Sequence, residues 1–295
     1  MTITHIPIDG RNYQVEVYRN IFMAPDAPRL AVVSNLRNDA ASSILKVCLE
    51  GIARFTPEPH EVWVIDNNSP VSQTEWLKGQ SGINVALNRT EPLPPESQDA
   101  MADDASRSQL QWGSYANAIG LELAVRLIDP KTRYLMTMHM DTLPCRSGWL
   151  SYLKGKLVDG TGAAGVRCDR TRTPEGILHV LGYMVDFHLF TELELDFFPR
   201  LPEFDVGDLV TTRLREAGFK VFASQNTLWE PHLVETIVTG SPFKDLPVDR
   251  SLDDEGNVFF LHLGRGVRKS TGEHRTGITV DEWVRVAREK IFTQD

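Results

Sequence analysis

Apolar and polar residues alternate in period two through residues 1 to 18, with Ile6 and Ile8 before Asp9-Gly10 and Tyr13, Val15 and Val17 after it. This is the pattern of a β-hairpin closed by a two-residue turn. Met23 to Pro28 holds two prolines and reads as a connector. Leu30-Ala31-Val32-Val33 is then wholly apolar, as in a strand buried on both faces. Ala40 to Phe55 follows with Ile44, Val47, Cys48 and Ile52 at helical spacing. The alternation continues with a strand at Glu61 to Ile65, a helix near Thr74 to Lys78, a strand at Ile83 to Leu87, a helix at Trp112 to Ile128 and a strand at Tyr134 to His139. Repeated βα units of this length predict a mainly parallel sheet with helices on both faces. Beyond it come a helix at Gly148 to Val158, strands near Gly162 to Arg167 and Leu178 to Val185, a helix at Asp208 to Ala217 stopped by Gly218, and a strand at Phe219 to Phe222. A last helix places Val280, Trp283, Val284, Ala287 and Ile291 on one face, a stripe that packs against the body.

Two segments break this rhythm. Glu91 to Asp104 holds five acids, three prolines and no Lys or Arg, which predicts a loop that does not pack. Gly256 to Gly277 gathers Arg265, Arg268, Lys269 and Arg275 around Gly264, Gly266 and Gly272, a cationic, glycine-rich stretch in an acidic chain. The literal GxGxxG at Gly160 to Gly165 follows a helix and precedes a strand, the reverse of a dinucleotide fingerprint, and reads as a tight turn. The two SxxK matches, Ser43 to Lys46 and Ser151 to Lys154, lack the companion motifs of a Ser-Lys hydrolase.

Composition narrows the partners. Across 295 residues, 40 acids against 31 bases give a formal charge of −9, which argues against a nucleic-acid binder and requires any anionic ligand to meet local cations or a metal ion. The first residues carry a Pro and an Asp where a signal peptide needs an apolar run, and no window approaches the ~18 apolar residues of a membrane span. Three widely spaced cysteines suggest neither a disulfide framework nor a paired zinc motif. The expectation is a soluble, cytoplasmic protein without an integral membrane span.

Candidate chemistry lies at strand ends, where open α/β sheets bind ligands. The first strand ends in Ser34-Asn35-Leu36-Arg37-Asn38-Asp39 and the second in Asp66-Asn67-Asn68-Ser69, whose Asn pair suits a left-handed turn while Asp66 can accept bonds from a base or ribose. In Tyr134 to Asp141, His139 and Asp141 share a face, with Met138 and Met140 turned inward, and an imidazole beside a carboxylate can hold a divalent cation. Each of these tips has a plainer reading, as a turn or a capping residue.

From about Leu30 to Val221 the sequence resembles the family 2 glycosyltransferases, nucleotide-sugar enzymes of the GT-A fold. LAVVSNLRNDAASSILKVCLEGI is similar to their first strand and helix, and VWVIDNNSP to the second strand and its tip. Trp112 to Ala118, with Gly113 and Asn117, resembles the opening of the next helix. His139-Met140-Asp141 stands where the family has D-x-D, and the run through Pro144 and Gly148-Trp149-Leu150 resembles its continuation. Phe204 to Val221 looks like the acidic segment with the catalytic base, although Gly207 falls where the carboxylate is expected, leaving Asp205 and Asp208 on either side as candidates. The family's glycine after Asn117 is also displaced, to Gly120. His262, in Leu261-His262-Leu263-Gly264-Arg265-Gly266, resembles a histidine that completes the metal site in several GT-A enzymes.

The resemblance implies an α/β GT-A fold in which residues 1 to 29 form a hairpin extension, about 30 to 141 the nucleotide-binding part and about 142 to 295 the acceptor part. It implies transfer of a sugar from a nucleoside diphosphate-sugar to a hydroxyl acceptor (small molecule, glycan or glycolipid), with inversion and with Mn²⁺ or Mg²⁺ as cofactor. Asp141, His262 and His139 would be metal ligands. Ser34, Asn35, Arg37, Asp66, Asn68, Gly113, Asn117, His139, Met140, Arg265 and Arg268 would line the donor site. His139 in place of an aspartate favours Mn²⁺, since Mg²⁺ prefers oxygen. Trp112 and Trp149 read as packing aromatics, and His5, His60, His179, His188, His232 and His274 are not singled out. A homodimer is left open. Two rival functions remain: a degenerate GT-A domain that binds without turnover, and a sugar-phosphate nucleotidyltransferase, which the glycine-free Ser34 to Asp39 tip disfavours.

Overall fold

The computed structural model describes residues 1–94, 105–168, 175–237 and 239–293. Strands β1 (Thr2–Ile8) and β2 (Arg11–Tyr18) form the expected hairpin. Its turn places Asp9 at φ 48° and Gly10 at φ 73°, the left-handed pair of a type I′ connection. The hairpin is continuous with the body, because β2 pairs antiparallel with β5 (Asn84–Asn88).

The nucleus of the sheet is built from β3 (Arg29–Ser34), β4 (Glu61–Asn67), β5 and β6 (Tyr134–His139), all parallel, in the order β5-β4-β3-β6. Every residue of β3, β4 and β5 is buried, which accounts for their unbroken apolar runs. Helix α1 (Asp39–Phe55) starts where the Asn38 side chain accepts the Ala41 N–H, and it buries Ile44, Leu45, Val47, Cys48 and Ile52 on one face of the sheet. Helix α2 (Val71–Lys78) follows β4, and α3 (Ala105–Leu127) covers the other face. Gly120 is required there, since a Cβ would come within 2.6 Å of Val33 Cγ1.

Beyond β6 the chain adds β7 (Thr142–Pro144), α4 (Trp149–Gly155), β8 (Thr161–Arg167), β9 (Leu178–Asp186), α5 (Phe187–Glu192), α6 (Asp208–Glu216) and β10 (Lys220–Asn226). A 3₁₀ turn (Pro231–Thr236), β11 (Asp249–Leu252), β12 (Val258–His262), α7 (Gly266–Ser270) and α8 (Val280–Val286) complete it. Strand β9 lies antiparallel between β6 and β8, β8 and β10 are parallel, and the order ends β10-β11-β12-β7 with antiparallel pairings. The result is the α/β architecture expected, a parallel central sheet flanked by helices and extended at both ends by antiparallel strands. Because β7 starts three residues after β6 ends, its pairing with β12 carries the C-terminal part back to the carboxyl rim of the parallel strands, where His262 pairs with Thr142.

The GxGxxG run is a turn entering β8: Gly160 sits at φ 80°, and Gly165 is demanded by packing, because a Cβ would lie 2.1 Å from that of Tyr183. The cationic Gly256 to Gly277 stretch, which breaks the expected rhythm, contains the whole of β12 and the short helix α7. Residues 95–104 of the acidic Glu91 to Asp104 segment lie outside the described residues. The C-terminal stripe has its core role, with Val280, Trp283, Ala287 and Ile291 buried. No described helix is long and apolar enough to cross a membrane.

Candidate metal centre

At the carboxyl rim, Ser34 pairs with Asp66 across β3 and β4, and Val33 pairs with His139 across β3 and β6. The tips are tied to one another. Asp66 is fully buried; its Oδ2 accepts the Ser34 hydroxyl at 3.1 Å and the Ser69 hydroxyl at 2.6 Å, and its Oδ1 accepts the Ser69 N–H at 3.1 Å. Burial raises the Asp66 pKa, with the Ser69 and Ser34 bonds opposing the shift. The Asn35 amide donates to the Asn67 carbonyl at 2.9 Å and the Asn88 amide to the Asn67 side chain at 2.7 Å. Asn68 takes the left-handed turn at φ 64°. This edge is a closed polar network that shapes the rim.

The three proposed ligands converge. His139 ends β6, Asp141 stands in the two-residue gap before β7, and His262 ends β12, and one potential ligand atom from each lies within 4.8 Å of the others. Asp141 Oδ1 is 4.0 Å from His139 Nδ1 and 3.5 Å from His262 Nε2, separations that one ion with ligands at ~2.1 Å can span. The Asp141 Oδ2 accepts the Gly266 N–H at 2.8 Å. Gly266 permits this approach, because a Cβ there would fall 2.8 Å from the Cβ of Asp141. Two further groups hold the imidazoles. The Asn117 amide meets His139 Nε2 at 2.9 Å, and Asp249 Oδ2 lies 3.5 Å from His262 Nδ1. Metal-bound histidines characteristically have such partners on the second ring nitrogen.

The three groups shift one another's ionisation in opposite directions. Burial opposes charge on His262, but the Asp141 carboxylate, its hydrogen bond and Asp249 overcome it and raise the imidazole to about 10. Burial also works against the Asp141 charge, and is outweighed by His262, His139 and the Gly266 N–H, which hold it well below the usual carboxylate range. His139 goes the other way: burial lowers it to about 4, leaving it neutral and suited to ligation. His262 Nδ1 is buried without a hydrogen bond of good geometry.

Several other expected site residues do not enter this cluster. Met140 is in the hydrophobic core. Gly113 is exposed, and a Cβ there would meet nothing within 4 Å, so no close approach explains it. Arg37 is exposed and turned onto the Asn35 side chain at 2.9 Å. Arg265 faces His274, and Arg268 faces Glu273 at 3.7 Å, both on the solvent side of α7. Trp149 packs as expected, its ring N–H donating to Thr56, whereas Trp112 is 39% exposed. Asp208 is 2% exposed and its Oδ2 accepts the Asp205 N–H at 2.8 Å, while Asp205 is half-buried and close enough to His139 to bear on its charge. Gly207 between them sits at φ 75°, and a Cβ would lie 2.4 Å from Val180 Cγ1, which explains a glycine at that register.

Sequence reasoning passed over His179 and Asp249. Asp249 was findable only through the β11–β12 register that pairs it with His262. The His179 ring packs 5.5 Å from that of His139 and 6.4 Å from that of His262.

The sequence matches no family model and no curated protein. In structure the chain is similar to a mannosyltransferase from Pyrobaculum calidifontis in complex with GDP-Man and Mn²⁺ (TM-score 0.47, 14% identity, 92% of this chain and 72% of that one). It is similar to the galactosyltransferase LgtC in complex with donor and acceptor sugar analogs (0.49, 12%, 91% and 97%). It is also similar to 4-diphosphocytidyl-2C-methyl-D-erythritol synthase from Anaerococcus prevotii (0.41, 10%, 68% and 89%). Likeness at this level describes the course of the backbone and assigns no side chain a role.

Proposed function

We propose that this protein is a GT-A-type glycosyltransferase that moves a sugar from a nucleoside diphosphate-sugar to a hydroxyl acceptor, with inversion and with a bound divalent cation. The observation that carries the reading is the convergence of His139, Asp141 and His262 at the carboxyl rim of a parallel sheet, from segments up to 123 residues apart in the chain. Two imidazoles and one carboxylate suit Mn²⁺ better than Mg²⁺, which favours an all-oxygen shell. When bound, the ion supplies positive charge against the leaving diphosphate.

The chain's own residues would do the rest. Asp141 is the anchoring charge, held in position by the Gly266 N–H. His262 would hold the cation through its deprotonated Nε2, with Asp249 Oδ2, 3.5 Å from Nδ1, orienting the ring. Asp205 is the proposed base, since Asp208 is buried and committed to the turn. It would take the acceptor's proton as the acceptor oxygen bonds to the anomeric carbon, the carbon–phosphate oxygen bond breaks, and the nucleoside diphosphate departs with the electron pair. The buried Asp66 network fixes the rim against which the nucleotide lies.

The test is a thermal-shift screen of nucleoside diphosphate-sugars with and without Mn²⁺, followed by turnover assays on the donor that binds. A donor-specific, Mn²⁺-dependent stabilisation with sugar release is expected, and Asp205→Asn should retain the stabilisation while losing transfer. Binding without turnover on any acceptor would instead favour a non-catalytic binding domain, and no stabilisation by any donor would contradict the reading.

A further inference from the structure

The carboxyl rim continues past the metal centre. Strand β9 is antiparallel to both β6 and β8, and β10 is parallel to β8, so β10 ends at the same rim as β6, and β11, antiparallel to β10, begins there. Between the end of β10 and the start of β11 lies a cleft of about 320 Å³, within the range of small-molecule sites. Leu228, Pro231 and Val234 line it from the turn that follows β10, and Leu246, Pro247 and Val248 from the stretch that enters β11. Asp249 belongs to the same wall, and its Oδ2 is 3.5 Å from His262 Nδ1. The cleft thus abuts the centre through a shared residue.

The polar groups of this lining are committed to the protein itself. Arg250 is 5% exposed and spends four of its five N–H donors on main-chain carbonyls, those of Phe243 at 2.5 Å, Val248 at 2.7 Å, Lys244 at 2.8 Å and Leu246. These bonds hold residues 243–248 as a fixed wall. Thr227 Oγ1 accepts the Arg250 main-chain N–H at 3.0 Å, and Asp249 faces His262. What remains to meet a ligand is apolar surface, including a Leu228 that is 45% exposed. A sugar ring or an anion would exchange water for that surface at a cost, whereas an apolar group gains by leaving water.

We infer that the acceptor carries its hydroxyl on an apolar body, alkyl or aryl, which occupies this cleft while the hydroxyl-bearing end meets the centre; this rests on the glycosyltransferase reading. Of the acceptor classes that the sequence leaves open, an unsubstituted glycan is excluded, and small molecules or glycolipids with such a body are kept.

The experiment is ligand-observed saturation-transfer NMR on the full chain with methyl, phenyl and n-octyl β-D-glucopyranoside, the last below its micelle-forming concentration, for wild type, Leu228→Asp and Val234→Thr. The sugar is common to the three probes, so differences report the apolar body alone. Wild type should bind the phenyl or the octyl glucoside about tenfold or more tighter than the methyl glucoside, the gain from about two methylenes leaving water, and the tighter of the two separates an aryl from an alkyl body. Leu228→Asp should erase the preference, and Val234→Thr, which keeps the side chain's shape, should reduce it about threefold. Circular dichroism melting checks that both variants fold, and the threonine variant decides if the aspartate variant does not. With Mn²⁺ added, the sugar protons should broaden more than those of the apolar body. Absent or equal binding of the three glucosides by wild type, a preference that survives substitution in a folded variant, or broadening in the reverse order would overturn the inference. Absence of donor binding in the thermal-shift screen would overturn the acceptor role by removing the reading it rests on, and the metal-free glucoside comparison separates that failure from a misreading of the cleft.

Discussion

Two polar regions share the carboxyl rim, and they treat charge in opposite ways. Around β3 and β4 the Asp66 carboxylate is saturated by Ser34 and Ser69, the Asn35 and Asn88 amides donate to Asn67, and the Asn67 amide donates to the Ala116 carbonyl. Across β3 from Asp66, Asp141 and His262 face each other at 3.5 Å with His139 held neutral alongside, and His262 Nδ1 is buried without a well-formed hydrogen bond. A closed network contributes rigidity; a cluster whose groups satisfy one another only in part is where a cation has work to do. The comparison teaches that polarity at a strand tip does not by itself mark a ligand site.

Substitutions should separate the two regions. The largest effect is expected from Asp141→Ala, which removes the anchoring charge and should weaken Mn²⁺ binding by about 100-fold or more, abolishing the metal-dependent rise in melting temperature. Asp66→Ala should do the reverse: it orphans the Ser34 and Ser69 groups and should cost about 2–4 kcal/mol in denaturant unfolding, with Mn²⁺ affinity held within a few-fold. If both variants lose metal affinity equally, the division between scaffold and centre is broken.

Gly266→Ala should have an intermediate effect. Its new Cβ would fall 2.8 Å from the Asp141 Cβ and 2.9 Å from Oδ2, displacing the carboxylate and weakening Mn²⁺ about tenfold in the same titration. The smallest effect concerns protons. His262 is raised to about 10 from an ordinary 6.5, so its charged pairing with Asp141 stabilises the metal-free protein fully below pH 6.5, and that contribution is lost as pH rises through about 10. Cation binding must displace this proton, and calorimetry at pH 7.5 in buffers of differing ionisation enthalpy should report about one proton released per Mn²⁺; no proton release would contradict this.

Much of this was legible in the chain. The unbroken apolar runs of β3 and β4, the helical stripe of α1 and the Asp9-Gly10 turn announce their elements because local pattern and tertiary burial agree there. His139, Asp141 and His262 were readable as candidates, one pair by strand alternation and the third by resemblance. The misses share a physical cause. Val258-Phe259-Phe260-Leu261 is as apolar as the first strand, yet it sits behind the turn-rich Asp253 to Asn257 and ahead of a basic segment, so no strand was assigned there, and with it went the register that pairs Asp249 with His262. The packing of the His179 ring against that of His139 comes from the β6–β9 register, which no spacing within the chain encodes. Gly266, met in the sequence only as one glycine of a basic stretch, serves the approach of the backbone to Asp141, which no local pattern announces.

The most direct test of the central claim is a Mn²⁺ titration followed by electron paramagnetic resonance of the free ion, on wild type, Asp141→Ala, His262→Ala and Asp66→Ala. One Mn²⁺ bound per chain in wild type and in the Asp66 variant, with that site lost in the Asp141 and His262 variants, is the predicted result. Stoichiometric binding that survives the loss of Asp141, or no binding in wild type, would contradict it.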